Sequence, residues 1–373
     1  MTESLPDLKG SALLDMLNDA GARRVLREPS RDRMGFAENM PYPFIAIVGQ
    51  LEMRFALLLS LINPSVGGIL LIGPRGVGKT TCVRSLTGIL PDVLVPDEDV
   101  PIEEWVDDEP PMHYERVKLV ELPLNARLED VVGGINERVA IQQSRVRLER
   151  GILGRADQNL LYVDEVNLLQ DEVVDSILDA AAQGHYTVRR GAVAGTFRSR
   201  FVMIGSMNPE EGQLRPQIMD RFGLRILVSG LTNYEERYEV YQRVKSYREN
   251  PRKFVDEWAF ETASIREEVS LARDLLKETI ISPEAIKTGI ELIRELQIDS
   301  TRADFTLFEA ARAHAAADGR KVAEINDIRF VAPLALRQRR SDFMVKFVEY
   351  QQQEDLEILN ILDRHAAEVK TSE

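Results

Sequence analysis

The chain has 373 residues, a net charge of −14 and a hydrophobic fraction of 44%, and a chain of this length usually forms about two domains. The acidic total disfavours broad electrostatic binding to nucleic acid or to anionic membranes. A single cysteine, Cys82, excludes an internal disulfide and a four-cysteine zinc site, and the four histidines lack metal-ligand spacing. No apolar run reaches the ~18–20 residues that span a bilayer, and the N-terminus lacks a secretory signal pattern. We therefore expect a cytoplasmic protein without a membrane span.

The first half of the chain alternates apolar runs with helical patterns. Residues 1–40 are polar and predict a partly ordered leader with one short helix near Leu13–Leu26. A helical stretch at Met53–Ile62 is followed by apolar runs that are candidate strands, at Gly68–Ile72, Val117–Leu122, Leu160–Val163, Phe201–Ile204 and Leu224–Val228. Strands that are apolar on both faces are typical of parallel sheets. Because amphipathic helices such as Asp171–Gln183 lie between them, we predict an α/β domain with a parallel sheet.

Two segments interrupt this alternation. Pro91–Pro111 is acidic and rich in proline, which favours a solvated loop over a surface that faces a partner. Tyr186–Gly191 and Gly195–Phe201 flank a turn of small residues and predict a β-hairpin.

The last third of the chain reads as helical, and we expect no strand after about Val244. Ser282 followed by Pro283 is a good helix start. The expected buried face of that helix carries Ile286, Ile290 and Ile293. Further helices are predicted at Ala303–Asp318, from Ile325 onward, and at the amphipathic Glu354–Val369.

The strongest motif is a phosphate loop between a predicted strand and a helical stretch. It reads Gly73-Pro74-Arg75-Gly76-Val77-Gly78-Lys79-Thr80, with Thr81 directly after it. Glycines let backbone N–H groups point at phosphate oxygens, and the helix that follows presents its positive end to them. Lys79 can contact the β- and γ-phosphates, and the Thr80 hydroxyl can bind Mg²⁺. The motif predicts binding and hydrolysis of a nucleoside triphosphate such as ATP.

Polar residues with matching roles follow two later strands. Asp164 and Glu165 end a buried strand, where Asp164 would hold Mg²⁺ through water and Glu165 would orient and deprotonate the attacking water. Asn208 follows the next strand and could help position the same water, although a turn residue before Pro209 is the alternative. Arg221 could supply a late cation at the γ-phosphate from a neighbouring subunit, and a surface salt bridge is its alternative.

These motifs occur in the order used by AAA+ ATPases, and longer strings resemble one family in particular. They are Ala46–Gln50, Tyr162–Leu169, Gly205–Gln217 and Asp220–Gly223. The chain is similar in them to the magnesium chelatase ATPase subunit I, from about Pro41 to Arg340.

The resemblance implies a five-stranded AAA+ core with an all-helical lid, assembled into a hexameric ring. It divides the chain into the leader 1–40, an ATPase core 41–245 and a helical linker and lid 246–373. It implies that Ile47 and Val48 line the adenine pocket. Arg221 would be an arginine finger acting in trans, and Arg302 would reach the nucleotide from the lid.

The family's reaction is insertion of Mg²⁺ into protoporphyrin IX, driven by ATP, in chlorophyll and bacteriochlorophyll synthesis. The resemblance implies a D-type AAA+ partner and a porphyrin-binding H-type subunit, and no nucleic acid. Other interpretations stay open at this point. They are a related ATPase for another client, such as a cobalt chelatase or a metalloenzyme under maturation, and a nucleic-acid ring with a basic hairpin at Arg189, Arg190, Arg198 and Arg200. A scaffold without turnover is disfavoured by Lys79 and the two carboxylates.

Overall fold

The structure is a computed structural model that describes residues 40–96, 112–135, 148–190 and 193–340. The leader helix predicted at Leu13–Leu26, the amphipathic segment Glu354–Val369 and most of the acidic loop lie outside these residues. The domain boundaries near 40 and 245 stay predictions.

A parallel sheet of five strands forms the centre of the first domain, as predicted. Its strands are β1 (Ile69–Ile72), β4 (Leu119–Leu122), β7 (Leu160–Val163), β10 (Val202–Met207) and β11 (Leu224–Leu227). Their order across the sheet is β11-β1-β10-β7-β4. All five predicted strands therefore belong to one sheet, with ends that differ by a few residues, as is common for strand boundaries.

The helices of the described residues cover both faces of this sheet and form the second domain. They are α1 (Leu51–Ile62), α2 (Lys79–Ser85), α3 (Leu128–Val132), α4 (Ile152–Arg155), α5 (Asp171–Gln183), α6 (Pro216–Arg221), α7 (Tyr234–Glu249), α8 (Pro251–Glu257), α9 (Ala259–Leu276), α10 (Pro283–Glu295), α11 (Thr301–Ala317) and α12 (Ile325–Leu336). Helix α5 has the predicted bounds and ends at Gly184, whose φ of 72° is a left-handed helix stop.

The three central strands β1, β7 and β10 are buried along their whole length, whereas the edge strand β4 carries the exposed Glu121. Successive side chains of a strand point to opposite sides of the sheet. In β1, Ile69 and Leu71 join one apolar cluster with α1 and the lid helices α11 and α12. Leu70 and Ile72 join the cluster on the other face, which includes Ile177 of α5. Burial on both faces explains the uninterrupted apolar sequences of β1 and β7, and the parallel sheet holds the carboxyl ends of its strands at one edge.

Smaller antiparallel pairs accompany the sheet. The predicted hairpin is present as β8 (His185–Arg190) and β9 (Val193–Arg198). Two other pairs were not predicted, β2 (Val93–Pro96) with β3 (Met112–Glu115) and β5 (Gly133–Ile135) with β6 (Leu148–Arg150). The prediction of a loop from Pro91 is therefore wrong at β2, because the partner strand that supplies its hydrogen bonds lies 16 or more residues further on.

The prediction that no strand follows Val244 is also wrong. A short parallel pair, β12 (Ile280–Ile281) and β13 (Val322–Ala323), joins the start of α10 to the start of α12. Strands of two residues are too short to produce a readable periodicity.

The buried face of α10 differs from the predicted one. Ile293 is buried as predicted, but Ile286 is 39% exposed and Ile290 is 48% exposed, and Ala285 is buried in their place. Gly289 lies on the buried face, and a Cβ there would come 2.6 Å from the Phe308 ring. The small residues allow α10 to approach α11 closely, and this packing turns the two isoleucines outward.

The lid is docked onto the first domain by polar contacts around Asp220. Arg339 Nη1 donates to Asp220 Oδ1 over 2.7 Å, and Ser300 Oγ donates to Asp220 Oδ2 over 2.9 Å. Arg225 of β11 is 1% exposed, and its Nη1 donates to the carbonyl oxygen of Gln338, after α12, over 2.5 Å. Within the described ranges, no helix is both long and apolar enough to cross a membrane.

Candidate nucleotide-binding site

The phosphate loop connects β1 to α2 and has the backbone that its sequence predicts. Gly76 and Gly78 have φ values of 81° and 91°, in the left-handed region that favours glycine. Gly73 is required for another reason, because a Cβ there would lie 2.0 Å from the carbonyl oxygen of Val228. Helix α2 starts at Lys79, so its N-terminus faces the loop.

Lys79 is 9% exposed and lies inside the loop. Its Nζ donates to the carbonyl oxygens of Gly73 and Pro74 over 2.6 and 2.8 Å. Burial lowers the pKa of this amine, and nearby carboxylates, with Asp164 the largest, oppose the shift. The amine therefore lies among hydrogen-bond acceptors at the place where phosphate oxygens bind in such loops.

A set of oxygen atoms joins the start of α2 to the end of β7. Thr80 Oγ1 lies 3.1 Å from the Tyr162 hydroxyl, which donates to Asp164 Oδ1 over 2.8 Å. Burial raises the pKa of Tyr162, so its phenol stays protonated. Hydroxyl and carboxylate oxygens are ligands that suit Mg²⁺. The residues present therefore fit the predicted metal site at Thr80 and Asp164.

Ser206 on β10 was not singled out by the sequence and lies at the centre of the site. It is fully buried, and its hydroxyl donates to Asp164 Oδ1 and accepts from the backbone N–H of Glu165 over 3.2 Å. Glu165 has φ 52° and ψ 51°, an unusual left-handed conformation for a residue with a side chain. Ser206 thus orients both carboxylate residues, and its only sequence signal is its position inside the Gly205–Gln217 string.

Arg75 and Glu211 add an ion-paired group beside these carboxylates. Arg75 Nη2 lies 3.1 Å from Glu165 Oε1, and its Nε lies 2.7 Å from Glu211 Oε1. Asn208 is 4% exposed, and its Nδ2 donates to the same Glu211 oxygen over 2.7 Å. The hydrogen bond from Asn208 is the largest cause that lowers the pKa of Glu211, with Arg75 contributing in the same direction. Glu211 also was not predicted as a site residue.

Most of these groups line one cavity of about 270 Å³ at the carboxyl edge of the sheet, and Tyr162 and Glu211 lie behind its lining. Its lining consists of Arg75, Gly76, Val77, Gly78, Lys79, Thr80, Thr81, Asp164, Glu165, Ser206, Met207 and Asn208. Most of the predicted site residues therefore converge on one place, and Ser206 and Met207 are additions.

The predicted adenine segment lies next to this cavity without lining it. Ile47 and Val48 are half-buried, and Ile47 packs against the apolar cluster of α1. The Gln50 side-chain amide donates to the carbonyl oxygen of Ser229 over 2.7 Å and lies 3.5 Å from that of Val77. These contacts tie the segment to the phosphate loop.

The two predicted arginines outside the loop lie apart from the cavity lining. Arg221 ends α6 and lies 2.7 Å from Asp179 Oδ1 and 3.2 Å from Asp175 Oδ1, both on α5. Arg302 is 54% exposed at the start of α11 and lies 3.8 Å from Asp220. Neither side chain contacts the phosphate loop of its own subunit in this structure, so their predicted roles stay predictions.

The site and the fold together define an AAA+ ATPase. They combine a phosphate loop, an Asp-Glu pair and an asparagine on adjacent strands of one sheet with a helical lid that follows. Residues 44–218 match the family model for magnesium chelatase, subunit ChlI, and residues 286–359 match that for the AAA lid domain. The chain belongs to the magnesium-chelatase subunit ChlI family and is an ATPase of that family.

Individual relatives support this assignment. The chain is 40% identical over 316 residues to the magnesium-chelatase subunit ChlI homolog of Methanocaldococcus jannaschii, covering 81% of this chain and 87% of that protein. It is 36% identical over 326 residues to the magnesium-chelatase subunit ChlI of Nostoc sp., covering 83% and 87%. A crystal structure from Cytophaga hutchinsonii, 22% identical, has the same fold with a TM-score of 0.53 over 79% of this chain and 83% of that chain.

Proposed function

We propose that this chain is the ATPase motor subunit of a magnesium chelatase, which hydrolyses ATP so that a partner can insert Mg²⁺ into protoporphyrin IX for chlorophyll or bacteriochlorophyll synthesis. Family membership supports the activity. The observation that carries the proposal is the convergence of Lys79, Asp164, Glu165 and Asn208 on one cavity at the edge of the sheet.

The phosphate loop would bind the triphosphate. Backbone N–H groups from Gly76 to Thr81 would face the phosphate oxygens, and Lys79 would exchange its two carbonyl acceptors for the β- and γ-phosphates. Thr80 and Asp164 would hold the Mg²⁺ that accompanies ATP, which neutralises charge on the phosphates. The Tyr162 hydroxyl between these two residues would orient them.

The water that attacks the γ-phosphate would be held by Glu165 and Asn208. Glu165 would accept its proton as general base, because its carboxylate lines the cavity and its backbone is fixed by Ser206. The Asn208 carboxamide would orient the same water from the next strand. These residues lie on neighbouring strand ends, so the sheet sets their spacing.

Arg221 and Arg302 would complete the site. Arg221 is half-buried beside α5 and does not line its own cavity, a location that supports a role at the nucleotide of a neighbouring subunit in a hexameric ring. Arg302 on the lid would contact the nucleotide after a movement of its exposed side chain. Ile47 and Val48 would contact the adenine from the segment that Gln50 ties to the loop.

The proposed partners are a D-type AAA+ subunit and a porphyrin-binding H-type subunit. The proposal is tested by mixing this chain with candidate D- and H-type subunits, protoporphyrin IX, Mg²⁺ and ATP, and by following the fluorescence of Mg-porphyrin. The expected result is product that depends on ATP and is lost with Lys79→Ala. ATP hydrolysis without Mg-porphyrin in any combination would contradict the chelatase role and favour another client, such as a cobalt chelatase.

A further inference from the structure

Arg75 links three parts of the site through a single guanidinium. It extends from the phosphate loop and reaches Glu165 after β7 with one nitrogen and Glu211 after β10 with another. Glu211 is held in turn by Asn208. The carboxylate proposed as general base therefore belongs to a polar chain that runs from Glu165 through Arg75 and Glu211 to Asn208.

This arrangement contributes little to the stability of the fold. The Arg75 side chain is 71% exposed, and ion pairs of exposed side chains contribute little to folding. Its guanidinium nonetheless lines the same cavity as Lys79, beside the expected position of the γ-phosphate. Glu211 first and then Glu165 raise the pKa of Arg75, so it is a permanent cation in the site.

From this geometry we infer that Arg75 is a positioning residue that restrains the carboxylate of Glu165 by bridging it to Glu211. The inference rests on the proposed role of Glu165 as general base. A carboxylate oxygen that accepts a charge-assisted hydrogen bond is less free to accept a proton from water.

The bridge requires the shape of arginine. Two separate nitrogens of one planar group contact the two carboxylates, whereas lysine offers a single point charge. Arg75→Lys should therefore keep the charge of the loop but lose the simultaneous contact to Glu165 and Glu211. Glu211→Gln should weaken the bridge from the other side.

The test compares steady-state ATP hydrolysis by the full chain and its Arg75→Ala, Arg75→Lys and Glu211→Gln variants, with ATP affinity measured separately using a fluorescent ATP analogue. The expected result is a kcat roughly 2–5-fold higher in Arg75→Ala, the rate equivalent of losing one exposed ion pair, and a smaller rise in the other two. The affinity of each variant for the analogue should differ from that of the wild type by less than about 2-fold, because an exposed ion pair contributes little energy.

Arg84→Ala is the matched control, because Arg84 forms an exposed ion pair with Glu121 outside the cavity. Its kcat should equal that of the wild type. A kcat that is unchanged or lower in Arg75→Ala would overturn the inference. A loss of affinity of 10-fold or more would also overturn it, since Arg75 would then be a phosphate ligand. Normal turnover by Glu165→Gln would instead overturn the proposed role of Glu165, and this result is distinguishable from either.

Discussion

The backbone N–H of Glu165 donates a hydrogen bond to the hydroxyl of Ser206 over 3.2 Å. The bond joins the ends of two neighbouring strands, and the same hydroxyl donates to Asp164. Because one buried serine fixes both acidic residues, its removal should affect metal binding and hydrolysis together.

Ser206→Ala should weaken the apparent Mg²⁺ affinity of ATP hydrolysis about 10-fold or more, as the loss of groups that orient metal ligands commonly does. The measurement is the Mg²⁺ dependence of phosphate release at saturating ATP. Ser176→Ala on α5 is the control, since that hydroxyl only bonds the Glu172 carbonyl. An unchanged Mg²⁺ dependence in Ser206→Ala would remove Ser206 from this role.

Lys79→Ala should reduce ATP affinity at least about 10-fold and abolish measurable turnover, because the cation that contacts the β- and γ-phosphates is lost. Binding is measured with a fluorescent ATP analogue, and thermal unfolding shows whether the variant folds. Lys287→Ala, at an exposed lysine on α10, is the control. Normal hydrolysis by a folded Lys79→Ala protein would contradict the site.

Glu165→Gln should bind ATP with nearly wild-type affinity and hydrolyse it ~100-fold more slowly or worse, the range that a general base contributes. The amide keeps the size of the side chain but accepts no proton from water. Single-turnover phosphate release checks the rate. Glu172→Gln, at an exposed position of α5, should behave as wild type, and unimpaired turnover in Glu165→Gln would assign the base to another group.

Arg221→Ala should inhibit wild-type protein in mixed assemblies, because a finger that acts in trans serves the site of its neighbour. At a 1:1 ratio the ATPase rate should fall well below the mean of the two proteins. Arg215→Ala is a close control, since Arg215 also pairs with an α5 carboxylate, Asp171. A rate that follows the simple average would indicate that each subunit hydrolyses ATP alone.

Asp327→Asn should destabilise the lid. Burial of Asp327 opposes its ionisation, but hydrogen bonds from Arg320, His314 and the Glu324 backbone outweigh burial and lower its pKa to about 2. Asp327 is fully buried, and removal of one partner of such a group costs about 3–5 kcal/mol. Thermal unfolding at neutral pH measures this loss.

The same carboxylate predicts a pH dependence. The pKa of Asp327 is lower in the folded chain than in the unfolded chain, where it is about 3.9. Its contribution to the free energy of unfolding is therefore complete above a pH of about 3.9 and is lost as the pH falls toward about 2. The difference in unfolding temperature between wild type and Asp327→Asn should therefore shrink across that interval. Asp274→Asn, at a residue that is 70% exposed, should show a small and nearly constant difference.

The sequence predicted the strands and the phosphate loop well because both depend on local rules. A strand buried on both faces must be apolar throughout, and Ile69–Ile72 and Leu160–Val163 are. The phosphate loop has a left-handed backbone at Gly76 and Gly78, and glycine is the residue that adopts this conformation most readily. The buried face of α10 was predicted incorrectly, because its packing depends on how closely Gly289 lets α11 approach.

The amino-acid sequence by itself determined the class of protein, the parallel sheet and the candidate residues for phosphate and metal binding, since these follow from spacing along the chain. Only the tertiary structure decided which groups share the cavity edge. Ser206, Glu211 and Arg75 are far apart from Glu165 in sequence or carry no motif of their own, and strand order brings them together. Contacts between side chains from different strand ends depend on the register of the sheet, which no local pattern encodes.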